Sequence, residues 1–405
     1  MPSGLEADDT MVYRLSGGEP WHHMGQGVPD DIPDSEFFKL AGLDWRVVEL
    51  PLYIQGRREQ RKSRYKALVR STDGKELGVA TESYHPVQNS QIWEFFQKFC
   101  EAGRMRLETA GSLCGGSRVW ALARTDKSFT INGKANGSGN GNGKGSGNGS
   151  GSQDVTGLYV LFSTGHEPGF ATQVEPTSVR VVCRNTLNLA RNAGVSDGRF
   201  RLSHRAVWHP QYVEEAQRVV TEAIGLMDYH QRQAEILHGS PSDRDLNRAY
   251  LTELFQPELV RAILEGRAGL PVDEVIRESH EQAGQRVMAS LLLAEPEAQA
   301  DAGKRILDTL TRAVAKDEVY QALSPTVRRV EQAIYEQPGP DRGSTLWGTY
   351  NGVSWYVDAV RGRNPSSAVN SALFGEGRNL KVKAAGLALD YARRMGNTDA
   401  VALDH

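Results

Sequence analysis

The sequence predicts an α+β fold: a mainly antiparallel β-sheet core with one packed helix in the N-terminal half, and an α-helical C-terminal half. Three observations carry this. Short runs rich in Val, Tyr, Trp and Leu alternate with Gly-containing turns up to about residue 205. Beyond 206, apolar residues recur at i, i+3 and i+4 instead. Between Gly133 and Ser152 runs a Gly/Ser/Asn tract with no apolar side chain larger than alanine, flanked on both sides by strand-like sequence.

The strand-like runs are Trp45–Leu50, Tyr65–Arg70, Glu76–Ala80, Met105–Thr109, Val119–Ala123 and Tyr159–Phe162. Asp73-Gly74 is a strong hairpin signal, so the strands on either side of it are expected to pair antiparallel. One helix interrupts them at Ser90–Cys100, with Ser90 or Asn89 as the expected N-cap and Ile92, Phe95, Phe96 and Phe99 on one face. Helical patterns then cover Val213–Leu237, Ser242–Phe255, Val272–Leu293, Ala302–Tyr320, Pro325–Tyr335, Leu346–Val360 and Arg378–Met395. Ser240-Pro241 and Ser324-Pro325 read as helix starts, cap followed by first-turn proline. The expected organisation is an N-terminal arm with a short helix at 1–44, a basic antiparallel sheet domain at 45–205, a helical domain at 206–395 and a tail at 396–405. The tract is a disordered loop at 133–153 within one sheet or, on the other reading, a domain boundary.

Composition narrows the class. No apolar run approaches the roughly 18 residues that span a membrane, and the acidic start lacks the basic and apolar regions of a signal peptide, so no membrane association and a cytoplasmic location are expected. The 3 cysteines, Cys100, Cys114 and Cys183, lie far apart and argue against a disulfide framework or a zinc ribbon. The net charge of −3 hides an asymmetry. Residues 1–44 hold 2 basic and 9 acidic residues, 45–205 hold 23 and 13, and 206–405 hold 22 and 28. A basic middle segment suits an anionic partner, nucleic acid above all, or the acidic helical half itself.

Several local constellations bear on chemistry. Arg57-Arg58-Glu59-Gln60-Arg61-Lys62-Ser63-Arg64-Tyr65-Lys66 is the densest basic run; as a loop between strands, flanked by Tyr53 and Tyr65, it suits phosphate contacts beside base stacking, or is a solvated hairpin tip. Arg104, Arg106, Arg118, Arg124, Arg180, Arg184, Arg199 and Arg201 alternate with other residues and could line one sheet face with guanidinium groups. Tyr84-His85-Pro86-Val87-Gln88-Asn89 joins a strand to the aromatic helix; His85, Gln88 and Asn89, with Asn185 further on, form a candidate polar site or an ordinary capped turn. Cys183 beside Arg184 at a strand-to-helix junction has the setting of a lowered thiol pKa, but no histidine base is assignable and packing is the better reading. Trp21-His22-His23 reads as an anchor, since adjacent histidines on a strand face opposite ways and lack ligand partners. No catalytic residue, metal or cofactor is assigned.

Pro20-Trp21-His22, Ala41–Trp45, Tyr84–Asn89, Thr109–Leu113, Arg118–Ala123, Val179–Leu187 and a C-terminal block from Trp347-Gly348-Thr349-Tyr350-Asn351-Gly352-Val353 to Ser371–Gly375 together resemble the phage- and plasmid-associated proteins catalogued as domain of unknown function 932. The resemblance covers most of the chain and implies a mobile-element setting with no assigned activity. The expected function is nucleic-acid binding, DNA rather than RNA, in single-strand binding or annealing during recombination or replication. A homo-oligomer is left open. The alternatives are an enzyme acting on a nucleotide or nucleic acid through the polar site, and a non-catalytic host-interaction protein.

Overall fold

The computed structural model describes residues 9–17, 25–56, 59–131, 154–167, 169–180, 186–187, 200–204, 209, 211–212, 214–216, 218, 221, 227–265, 296–339, 341–361 and 365–403. The Gly-rich tract, Trp21-His22-His23, Cys183 and the helix expected at Val272–Leu293 lie outside them.

The strands form two sheets where the sequence reading has one. The larger contains β1 (Thr10–Arg14), β2 (Gln26–Val28), β6 (Arg106–Leu113), β7 (Arg118–Ile131), β8 (Asp154–Gly165), β9 (Thr172–Arg180), β10 (Thr186–Leu187) and β11 (Phe200–Leu202), in the order β10-β9-β8-β7-β6-β1-β2, with β11 also on β9. Every pairing in it is antiparallel except β1 with β2. The smaller is the meander β3 (Val47–Gln55), β4 (Gln60–Arg70) and β5 (Glu76–Thr81). Asp73-Gly74 turns β4 into β5 as its dipeptide requires, with Gly74 at φ +72°. Pairing of β7 with β8 runs out to Ile131 opposite Asp154, so the Gly-rich tract joins the two ends of one hairpin.

Alternation along β7 explains what covers the large sheet. Val119, Ala121 and Ala123 point to one face, where they meet Phe95, Phe96 and Phe99 of helix α2 (Asn89–Ala102) and Phe37 of α1 (Asp34–Leu40) in one core. Trp120 points to the other face and, with Leu161, packs against Val369 and Leu373. The far end of the hairpin, Phe129, Ile131 and Leu158, is buried in the core of the helical half. The middle of the large sheet is thus covered on both faces, while Arg106 and Arg124, opposite each other on β6 and β7, stay exposed.

In the helical half, α3 (Met227–Gly239), α4 (Arg244–Phe255), α5 (Pro257–Leu264), α6 (Pro296–Val314), α7 (Asp317–Ala322), α8 (Pro325–Glu336), α9 (Leu346–Trp355), a π turn (Tyr356–Val360), α10 (Pro365–Phe374), α11 (Glu376–Arg394) and α12 (Thr398–Ala402) follow one another. Ser324 caps α8, its hydroxyl accepting from Val327 N at 3.3 Å. Ser240 does not cap α4; its hydroxyl donates to Ile236 O and Pro241 bridges to Thr345, so Asp243 takes the cap, accepting from Leu246 N at 2.8 Å. The core gathers the fully buried Trp347, Tyr250, Tyr350 and Tyr391 around Leu310, Val330 and Ala388. At Gly352 of α9 an added Cβ would stand 2.5 Å from Ile334 Cα, which is how close α8 comes.

Candidate nucleic-acid interface

The basic run is mostly strand, not loop. Beyond Leu50 and Arg64 the β3–β4 pair leaves the body of the protein as a two-stranded ribbon, with Ile54 opposite Arg61 and Tyr53 opposite Lys62 past a bulge at Pro51/Tyr53. Nearly every residue of it is exposed, Tyr53 by 55%. β-branched and aromatic residues hold the ribbon in strand geometry, while the interleaved cations give it no core to enter. Arg61, Lys62 and Arg64 are all exposed. The Arg64 guanidinium stands 5.0 Å from the Tyr65 ring centroid and donates to its hydroxyl at 2.9 Å. Lys62 has one ion pair, 3.5 Å from Glu82, between side chains that are both about 60% exposed, a contact that ordinary salt screens.

Lys66 has a different role. It is buried at the ribbon's base, where Nζ meets Glu49 at 2.9 Å and donates to Tyr84 O at 2.8 Å. The other expected contacts divide. Arg106 pairs with Asp30 at 3.1 Å. Arg118 pairs with Glu167 at 2.6 Å, donates to Asn370 and lies over Phe170. Arg104 is exposed at the end of α2 with φ +50°. Arg180 ends β9 opposite Thr156, its side chain outside the described set; Arg57, Arg58, Arg184 and Asn185 also lie outside it. Among the described residues, the candidates Arg61, Arg64, Arg104, Arg124 and Arg201 are exposed and enter no ion pair; Arg61 and Arg64, with Lys62 between them, stand together on the ribbon, while the other three lie on or beside the large sheet.

The strand-to-helix turn after β5 does not collect its polar residues into one pocket. His85 faces solvent. The Gln88 side chain is fixed by both main-chain groups of Val47, and Gln91 Oε1 accepts from Gln88 N at 2.9 Å, so Gln88 stands at the N-cap in place of Ser90 or Asn89. Asn89 turns inward, fully buried: Nδ2 donates to Leu43 O and Trp45 O, and Oδ1 meets His166 Nε2 at 2.8 Å. With Nδ2 occupied by carbonyls, Oδ1 must accept, which puts the His166 proton on Nε2. Burial pushes His166 down to about 3, so it is neutral at ordinary pH.

A second histidine, His204, just past β11, stacks on Tyr84 with centroids 4.9 Å apart and planes 18° apart. Burial lowers its pKa, the main chain of His85 and Phe170 pulling the other way. Burial also pushes the Tyr84 hydroxyl well above its ordinary range, helped by the charge of Glu167, and that hydroxyl donates to Gly165 O at 3.1 Å. Tyr84 and His204 line a cleft of about 310 Å³ whose other walls include Tyr65, Val79, Thr81 and Phe170. Burial favours the neutral forms of both Tyr84 and His204 in its wall. Sequence reasoning missed His166 and His204: each is a lone histidine at a strand end, far in sequence from the turn it meets. Among the described residues, no three His, Cys, Asp or Glu side chains come together as a metal site.

No curated protein and no solved structure matches the chain. The family model described as Domain of unknown function matches residues 76–140 and 144–262, a span that holds Tyr84, Asn89, His166 and His204 and begins just after the ribbon. Through that span the chain belongs to the family of unknown function designated DUF932.

Proposed function

We propose that this protein binds single-stranded nucleic acid, DNA in preference to RNA, through the β3–β4 ribbon. One observation carries the reading: a two-stranded ribbon exposed on both faces carries Arg61, Lys62 and Arg64 beside exposed Tyr53, with exposed Tyr65 at its foot. Cations at strand spacing track phosphates, and exposed aromatic faces beside them stack bases without regard to sequence. The setting proposed with it is a phage or plasmid, in strand binding or annealing during recombination or replication.

The test is fluorescence anisotropy of labelled single-stranded and double-stranded oligonucleotides across a salt series. The wild type is expected to bind single strands with a steep negative dependence on salt. In R61Q/K62Q/R64Q the slope of log K against log salt should flatten by up to about 2, at about 0.7 per lost phosphate contact. Unchanged affinity and slope in that variant would remove the ribbon from the interface.

A further inference from the structure

We infer that the cleft at the foot of the ribbon, between Tyr65 and the Tyr84–His204 stack, receives one unstacked nucleobase of a bound single strand. The inference rests on the ribbon reading and adds to it a site, a ligand class and an orientation.

Continuity is the first argument. Tyr65 stands at the foot of the ribbon, paired with Thr81 and under Arg64, and also lines the cleft, so a strand whose phosphates follow Arg61, Lys62 and Arg64 passes the cleft mouth. Size is the second. About 310 Å³ lies at the lower end of the range for small-molecule sites, room for one base and part of its sugar. Chemistry is the third. Tyr65, Tyr84, Phe170 and His204 give a plane-lined space, and bases splayed out of a strand are held by stacking on such rings. His204 is buried in the cleft wall, where its ring stacks on Tyr84. The site is also held in place before a ligand arrives: Lys66 fixes Tyr84 through its carbonyl, and Gly165 fixes it through its hydroxyl.

The experiment compares, at one salt concentration, a labelled strand of 20 thymidines with an abasic strand of equal length and charge. Wild-type protein should bind the thymidine strand about tenfold more tightly. Val79→Trp, at an exposed position on the mouth, and Phe170→Ala, which removes a wall, should each bring the two affinities together without changing the salt slope. Photocrosslinking with 5-iodouracil strands should label Tyr65, Tyr84, Phe170 or His204. Equal wild-type affinity for the two strands overturns the cleft and leaves the ribbon standing. A preference that survives both variants, or crosslinks confined to Tyr53, moves the stacking to the ribbon tip and also overturns it. Failure to bind either strand overturns the ribbon reading and this inference with it.

Discussion

The two sheets are built from strands of similar composition and end in opposite situations. β7 alternates Val, Ala and Ala against Trp and Leu, and each set finds a cover, α2 on one face and the Val369/Leu373 helix on the other. β3 alternates just as well, yet Val48, Leu50, Tyr53 and Ile54 remain between 38% and 55% exposed. Composition makes both segments strands; what separates them, among the described residues, is whether a helix packs over them. In the ribbon, apolar, cationic and aromatic side chains are all exposed. Stability should therefore reside in the helical core and the large sheet, and binding in the ribbon, so substitutions in the two regions should separate the two properties.

The largest expected effect is at Lys381 and Asp358, a pair with no exposed side-chain surface and 2.9 Å between Nζ and Oδ1. Lys381→Met strands the carboxylate and should lower the unfolding free energy by about 3–5 kcal/mol in urea titration, whereas replacing both partners by apolar residues should recover most of the loss. Nucleic-acid binding per folded molecule should not change. Next comes Gly352→Ala, which drives a methyl into the Ile334 backbone and should cost about 1–3 kcal/mol.

The joint between the regions can be tested with pH. His166 titrates at about 3 folded and near 6.5 unfolded, so the unfolded chain binds more protons below 6.5. Its contribution is complete above that value and is lost as pH falls towards 3, at a limiting slope of about 1.4 kcal/mol per pH unit. His204 acts in the same direction. Urea titrations between pH 7 and 5 should show the decline, and His166→Gln should remove one proton's worth of it. An unchanged slope in that variant would mean His166 is not held neutral by burial.

Local signals in the sequence carried much of the fold and less of the site. The 118–124 alternation, the Asp73-Gly74 turn, the Phe-lined helix and the Ser324-Pro325 start all depend on neighbours within a few residues, and all appear where their patterns put them. The split into two sheets depends on pairings across long stretches of chain, which no local pattern encodes. β1 shows this: it is a short strand in the acidic arm whose place beside β6 requires Gly111, where a Cβ would stand 2.2 Å from Thr10 O. That isolated strand glycine was the available signal. In the turn from Tyr84 to Asn89 the residues were the right ones to notice, but their roles depended on partners brought from 43–45, 166 and 204. The basic run was legible as charge; that it would stand as an exposed ribbon was not.

The smallest expected effect on stability is the most informative about the comparison. In R61Q/K62Q/R64Q each substituted side chain is exposed, and the one ion pair removed is the solvent-screened contact of Lys62 with Glu82. Surface substitutions of this kind stay within about 0.5 kcal/mol, and relief of repulsion among neighbouring cations could make the change favourable. Lys66 is the control on the same strand: Lys66→Met leaves Glu49 without its partner and Tyr84 O without its donor, and should destabilise by about 1–3 kcal/mol. Urea titration of the two variants side by side checks both statements. If the triple variant lost as much stability as Lys66→Met, the ribbon would be part of the scaffold, and the division between a covered sheet that supports and an open one that binds would fail at the strand that defines it.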